Sequence, residues 1–167
     1  MTGTKTLICL FLAVAVALAL QISSVTPAAS GEKKPLKPGP KDKCPVCGMF
    51  VAKYPDFLAQ IILKDGSVAH FDGAKDMFKY YFNMKKYAPG KGFPDIDSVY
   101  VTDYYTLNPA DGERAFYVIG SDVFGPMGRE LIPFEKEKDA TEFVKDHKGK
   151  AILRFREITP DTIKGLD

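Results

Sequence analysis

The sequence predicts an α+β fold in which two similar small ββαβ units pack into one compact body, and three observations carry that prediction. Short β-prone runs, Leu58 to Leu63 and Val68 to Phe71, flank Lys64-Asp65-Gly66-Ser67, where Asp-Gly favours a tight hairpin turn. Two stretches, Ala74-Met77-Phe78-Tyr81 and Ala140-Phe143-Val144-His147, place their core-facing residues at i, i+3, i+4 and i+7, the stripe of an amphipathic helix. The order strand, strand, helix, strand is met twice, with His70-Phe71-Asp72 standing over Pro133-Phe134-Glu135 at the corner between strand and helix.

Residues 1–30 read as a secretory signal peptide. Lys5 precedes an apolar run from Leu7 to Leu20, and Pro27-Ala28-Ala29-Ser30 supplies small residues for cleavage near Ala29 or Ser30. The run is about 14 residues long, short of the roughly 20 that a spanning helix needs. Cys9 sits at the start of the run rather than after it, so no lipid-attachment signal is present. Residues 31–43 hold five Lys, three Pro and two Gly, with Leu36 the only large apolar side chain, and read as a mobile tether.

The first ββαβ unit is assigned to residues 44–107. Its hairpin leads into a helix with Asp72 as N-cap; Met84 follows among lysines and reads as surface; Ser98 to Thr106 is its last strand. The second unit, residues 108–158, runs from a strand at Ala115 to Ile119 through a Gly-rich loop to a strand at Glu130 to Phe134. The helix of the second stripe follows, and then a strand from Ala151 to near Glu157. Residues 159–167 read as a tail.

Composition bounds the function. There are 23 Lys and Arg against 21 Asp and Glu, a near-neutral balance that gives no electrostatic reason to bind nucleic acid. Without the signal the cysteines are Cys44 and Cys47, so whatever cysteine does here, that pair does it.

Cys44-Pro45-Val46-Cys47-Gly48-Met49 concentrates two thiols and a thioether, donors that select Cu(I) over oxygen-seeking metals such as Mg or Ca. A structural zinc site fails on count, because one Cys pair and two isolated His do not make a closed set of four N or S ligands. Three readings of the pair stay open: a soft-metal site, an inert disulfide suited to an oxidising compartment, and a redox-active pair. The last is disfavoured by context, since Phe50, Val51 and Pro55 do not continue the motif into a helix. Met127, in Val123-Phe124-Gly125-Pro126-Met127-Gly128, is held in a loop and is a second candidate thioether, or a gap-filler. His70 and His147 fall on a strand and a helical stripe and read as packing residues. No nucleophile with base and orienting acid, and no phosphate-binding loop, is present in the sequence.

Cys44-Pro-Val-Cys47-Gly48-Met49-Phe-Val51 and Gly125-Pro126-Met127-Gly128-Arg-Glu130-Leu131-Ile132-Pro133-Phe134, together and in this order, resemble the NosL family of exported copper-binding accessory proteins of nitrous oxide reductase assembly. The resemblance covers residues 44 to 157. It implies two ββαβ units, a topology shared with part of organomercurial lyases, and Cu(I) ligation by Cys47 and Met49, with Met127 matching a methionine of the second motif. Two departures stand out: many members are lipoproteins, and many have a single Cys before Gly-Met where this chain adds Cys44. The expectation is therefore a periplasmic Cu(I) metallochaperone, not an enzyme. Its metal residues are Cys47, Met49, Met127 and provisionally Cys44, in an exposed site. It passes copper to an apo-enzyme or its membrane-associated maturation complex. The alternative is an exported thiol enzyme using Cys44 and Cys47, either a disulfide exchanger or an organomercurial-lyase-like cleaver. The lyase version requires an acid beside the thiol pair, for which Asp103, Asp42 or another acid would have to serve.

Overall fold

The computed structural model describes residues 34–167, all within one compact unit; the signal-peptide reading lies outside the described residues. The hairpin forms where Asp65-Gly66 predicts it. Strands β1 (Ala59–Leu63) and β2 (Val68–Phe71) pair antiparallel, and Asp65 closes the turn by accepting from the Ser67 N–H at 3.0 Å and the Ser67 hydroxyl at 2.6 Å.

Helices α1 (Ala74–Phe82) and α2 (Met84–Tyr87) follow. Met84 is buried at 4% exposure instead of lying on the surface, because α2 turns the chain back and places it in the core. β3 (Ile96–Thr102) pairs with the other side of β1, and β4 (Pro109–Asp111) adds to β3, giving the order β2-β1-β3-β4. β1 sits between two neighbours and is buried at all five residues. The strand expected to reach Thr106 stops at Thr102. There Asp103 Oδ1 accepts from the N–H groups of Tyr105 (3.2 Å) and Thr106 (2.8 Å) and turns the chain.

The second round repeats the arrangement. β5 (Phe116–Ile119) leads into a small hairpin of β6 (Phe124–Gly125) and β7 (Gly128–Arg129), then β8 (Ile132–Phe134), α3 (Glu137–Asp146) and β9 (Ala151–Arg154). The sheet order β8-β5-β9 matches β2-β1-β3: in each unit the first strand is central and both partners run antiparallel to it. The expected strand at Glu130 begins only at Ile132, and β9 ends at Arg154 in a 3-10 turn, Phe155–Glu157.

Two further expectations are corrected. The segment after residue 158 is a capped helix, α4 (Pro160–Lys164), started by Thr159 and packed on α1 with Ile163 and Leu166 buried. The tether is irregular, as its composition demands, but Leu36 docks on the sheet. Its N–H donates to Gln60 Oε1 at 2.8 Å, and its carbonyl accepts from Gln60 Nε2 at 3.3 Å and lies 3.3 Å from His70 Nε2. Gln60 and His70 are buried and need such partners.

The units share a core. Phe78 of α1 is fully buried, 5.3 Å from the Tyr117 ring of β5 and 4.9 Å from that of Phe155 (ring centroids). Tyr104 N–H donates to the Pro133 carbonyl at 3.0 Å, and Glu135 N–H to Asp103 Oδ2 at 2.7 Å. Phe78→Ala is expected to cost about 3–5 kcal/mol in a urea unfolding titration, since it leaves a cavity between the units. A cost below about 1 kcal/mol would show that the shared core is not what holds them.

Candidate metal centre

The cysteine motif folds into a knuckle closed by its own backbone. Cys44 N–H donates to the Met49 carbonyl and Gly48 N–H to the Cys44 carbonyl, both at 2.9 Å, while Lys43 and Phe50 form an antiparallel bridge on either side. Gly48 holds φ +80°, a left-handed conformation that a side chain would strain. The knuckle brings both thiols to the start of α1.

There the chain offers two carboxylates. Asp72 ends the β2-to-α1 corner, and Asp76 lies in the first turn of α1, where i and i+4 share a face. Cys47 Sγ donates to Asp72 Oδ1 at 3.2 Å, and Cys44 Sγ to Asp76 Oδ2 at 3.4 Å. One ligand atom from each of the four residues lies within 4.8 Å of the others. Cys44 (2%), Asp72 (1%) and Asp76 (3%) are buried, and Cys47 is half-buried. Asp72 Oδ2 is buried with no hydrogen-bond partner, an acceptor left over beside the cluster.

Asp72 was expected to cap α1 and does not. The N-cap is Gly73, with no side-chain cap, and Asp72 Oδ1 instead accepts from Cys47 Sγ. Two sulfur and two oxygen donors come together here, which is not the set of four N or S ligands that a structural zinc site requires. In the sequence the two carboxylates show only as Asp-x-x-x-Asp entering a helix, a spacing common in helices without any ligand.

Both thiols are free and held protonated. Burial pushes Cys44 far above the ordinary thiol range. It also pushes Cys47 up to about 11, reinforced by the Asp72 and Asp76 carboxylates against the opposing Met49 backbone N–H. This is opposite to the lowered thiol pKa of a disulfide exchanger.

The remaining sequence candidates are dispersed. Met49 belongs to the knuckle and is half-buried. Met127, in the turn between β6 and β7, is 44% exposed and meets this region through its carbonyl, which accepts from Lys75 Nζ at 2.8 Å. The expected exposed site is thus divided, with Cys47 and Met49 partly open and Cys44 closed in. His70 lies 3.5 Å from Asp42 (Nδ1 to Oδ2); His147 stacks on Phe143 at 4.3 Å and contacts Asp122 at 3.1 Å; both serve packing.

A family model described as NosL matches residues 35–163. A curated relative, the copper-binding lipoprotein NosL of Stutzerimonas stutzeri, is 32% identical over 125 residues, covering 70% of this chain and 62% of the relative. The chain therefore spans somewhat less than two thirds of that relative's length. The crystal structure of the copper chaperone NosL from Shewanella denitrificans superposes with a TM-score of 0.66 at 25% identity, over 77% of this chain and 98% of that one. A solution structure of apo-NosL from Achromobacter cycloclastes aligns at 28% identity and a TM-score of 0.46, over 63% of this chain and 87% of that one.

With a pKa near 11, Cys47 in the apo-protein is expected to react with iodoacetamide at pH 8 on the order of a hundredfold slower than an unhindered thiol. Asp72→Asn removes the carboxylate that opposes ionisation and should speed the reaction. Equal rates in wild type and variant would show that Asp72 does not hold the thiol proton.

Proposed function

This chain belongs to the NosL family, and we propose that it is an exported Cu(I) metallochaperone. It takes copper at the Cys44-Cys47 pocket and yields it by ligand exchange to an apo-enzyme, nitrous oxide reductase or a related cuproenzyme, or to that enzyme's membrane-associated maturation complex. The observation that carries the reading is the pair of free thiols, each hydrogen-bonded to a buried carboxylate, within one cluster of four donors.

Cu(I) prefers sulfur, so Cys47 and Cys44 are the proposed anionic ligands, with Met49 and Met127 as neutral thioethers. Because the thiols rest protonated, the metal must displace their protons to solvent, and Asp72 and Asp76, each already hydrogen-bonded to a thiol, are the nearest groups to relay them. Half-buried Cys47 suits entry and exit, since an incoming ligand attacks before the old one leaves. Buried Cys44 restrains premature loss. The relatives' names, copper-binding lipoprotein and copper chaperone, support carriage rather than turnover. Export to the periplasm is the reading of the N-terminal segment, without the lipid-attachment cysteine. Among the described residues no helix is long and apolar enough to cross a membrane.

A second reading has one observation in its favour. A carbon–metal bond cleaver needs an acid beside a thiol pair, and Asp72 and Asp76 stand there. In that reaction an alkylmercury halide and two thiols yield hydrocarbon, a mercury dithiolate and the hydrogen halide. Hydrocarbon release from the reduced protein with an alkylmercury probe would establish it, and stable binding without release would remove it.

Two outcomes test the chaperone reading in an oxygen-free competition against a chromogenic Cu(I) chelator. The reduced protein should bind one Cu(I), and Cys47→Ser should weaken it by roughly a hundredfold or more. Unchanged affinity in Cys47→Ser would sink the proposal. Wild-type affinity should also rise with pH between 6 and 8, by up to about tenfold per unit for each proton displaced, because both thiol pKa values lie above that window. A flat profile would mean that copper does not replace the thiol protons.

A further inference from the structure

Helix α1, which supplies Asp76, begins without a side-chain cap of its own. Its Lys75 N–H is taken instead by Glu130 Oε1 at 2.5 Å, from a carboxyl 55 residues further along the chain, and the same oxygen accepts from Leu131 N–H at 2.9 Å. Gly73 must stay bare for this to happen, because a Cβ there would stand 2.3 Å from Glu130 Oε2. Lys75 returns the contact. Its side chain is buried, and Nζ donates to the Met127 carbonyl at 2.8 Å and the Leu166 carbonyl at 3.4 Å, and lies 3.5 Å from Asp167 Oδ1.

One residue, next to Asp76, therefore holds the β6–β7 hairpin twice, at Met127 in its turn and at Glu130 just after β7. Its strands are two residues each, and Phe124 (60% exposed) and Met127 (44%) point apolar surface to solvent. Burying a lysine and a glutamate is costly unless their bonds are specific, and here those bonds join the start of α1 to the second sequence motif.

We infer that Lys75 and Glu130 are positioning residues that fix the β6–β7 hairpin, and with it the Met127 thioether, relative to the helix bearing Asp76. Hairpin and thiol pocket then act as one copper site. The inference rests on the copper reading above and on Met127 as a ligand. A merely structural clamp would affect stability alone; a positioning clamp acts through Met127.

A double-mutant cycle separates these roles. Cu(I) affinity by chelator competition, with thermal stability alongside, is measured for wild type, Lys75→Met, Met127→Ala and the double variant. Lys75→Met keeps the apolar stem and removes the donor. It is expected to weaken Cu(I) roughly tenfold to a hundredfold. In the Met127→Ala background it should weaken binding little further, because the group it positions is gone. Additive losses, or a Lys75→Met protein that loses stability but binds as wild type does, overturn the inference. Should Lys75→Met not fold, Lys75→Gln, which stays polar but is too short to reach the Met127 carbonyl, is read in the same way. Wild type that binds no Cu(I) overturns the chaperone reading and this inference together. Wild type that binds, with Met127→Ala binding equally well, overturns the inference alone.

Discussion

Two carboxylates buried at the start of one helix are the constraint around which this molecule is arranged. Asp72 and Asp76 are withdrawn from water, and a buried carboxylate without donors is among the costlier things a fold can contain. The thiols of Cys44 and Cys47 supply a donor to each. That requirement draws the cysteine knuckle onto α1 and leaves the helix start to be satisfied from elsewhere, which Glu130 does by reaching Lys75. Burial in turn pushes the Glu130 carboxyl up to about 8.

Much of the fold was legible because its signals are local. Asp65-Gly66 sets a hairpin whatever surrounds it, and the stripes of Met77-Phe78-Tyr81 and Ala140-Phe143-Val144 specify helices with one apolar face. The sites of failure share a cause: each depends on a partner far along the chain. Asp72 is an ordinary N-cap by local chemistry, and only the arrival of Cys47, 25 residues earlier in sequence, turns its carboxylate away. Met84 looks like surface between lysines until α2 folds it into the core. Residues 159–167 look like a tail because the apolar positions Ile163 and Leu166 are few, yet α1 offers them a surface. For the site, the sulfur cluster was visible as a motif, while its carboxylates belong to a segment that reads as an unremarkable helix start.

The resting state of the pocket follows from the same desolvation. Thiols that are buried and face carboxylates hold their protons, so the empty protein presents neutral, weakly nucleophilic sulfur. In an oxidising compartment that protects the pair, because oxidation proceeds through the thiolate. A metal with strong sulfur affinity can still displace the protons. A metal that binds sulfur weakly meets the same cost with less return.

The two units differ in the connection between their first two strands. Both are built on a central strand flanked by antiparallel partners, and in the first unit β1 and β2 are joined by the tight Lys64–Ser67 turn. In the second, the corresponding connection between β5 and β8 runs from residue 120 to 131 and contains the β6–β7 hairpin, Met127 and Glu130. Scaffold strands tolerate little change, whereas a connection can lengthen at small entropic cost and acquire a role. The lengthened connection reaches back through Glu130 and Lys75 to the start of α1, beside the cysteine knuckle of the first unit. Neither unit contains this arrangement alone: the first supplies thiols, carboxylates and a helix start without a cap, and the second supplies the cap. The units also meet in the core around Phe78, Tyr117 and Phe155, while the second keeps a smaller apolar cluster of its own around Phe134 and Phe143.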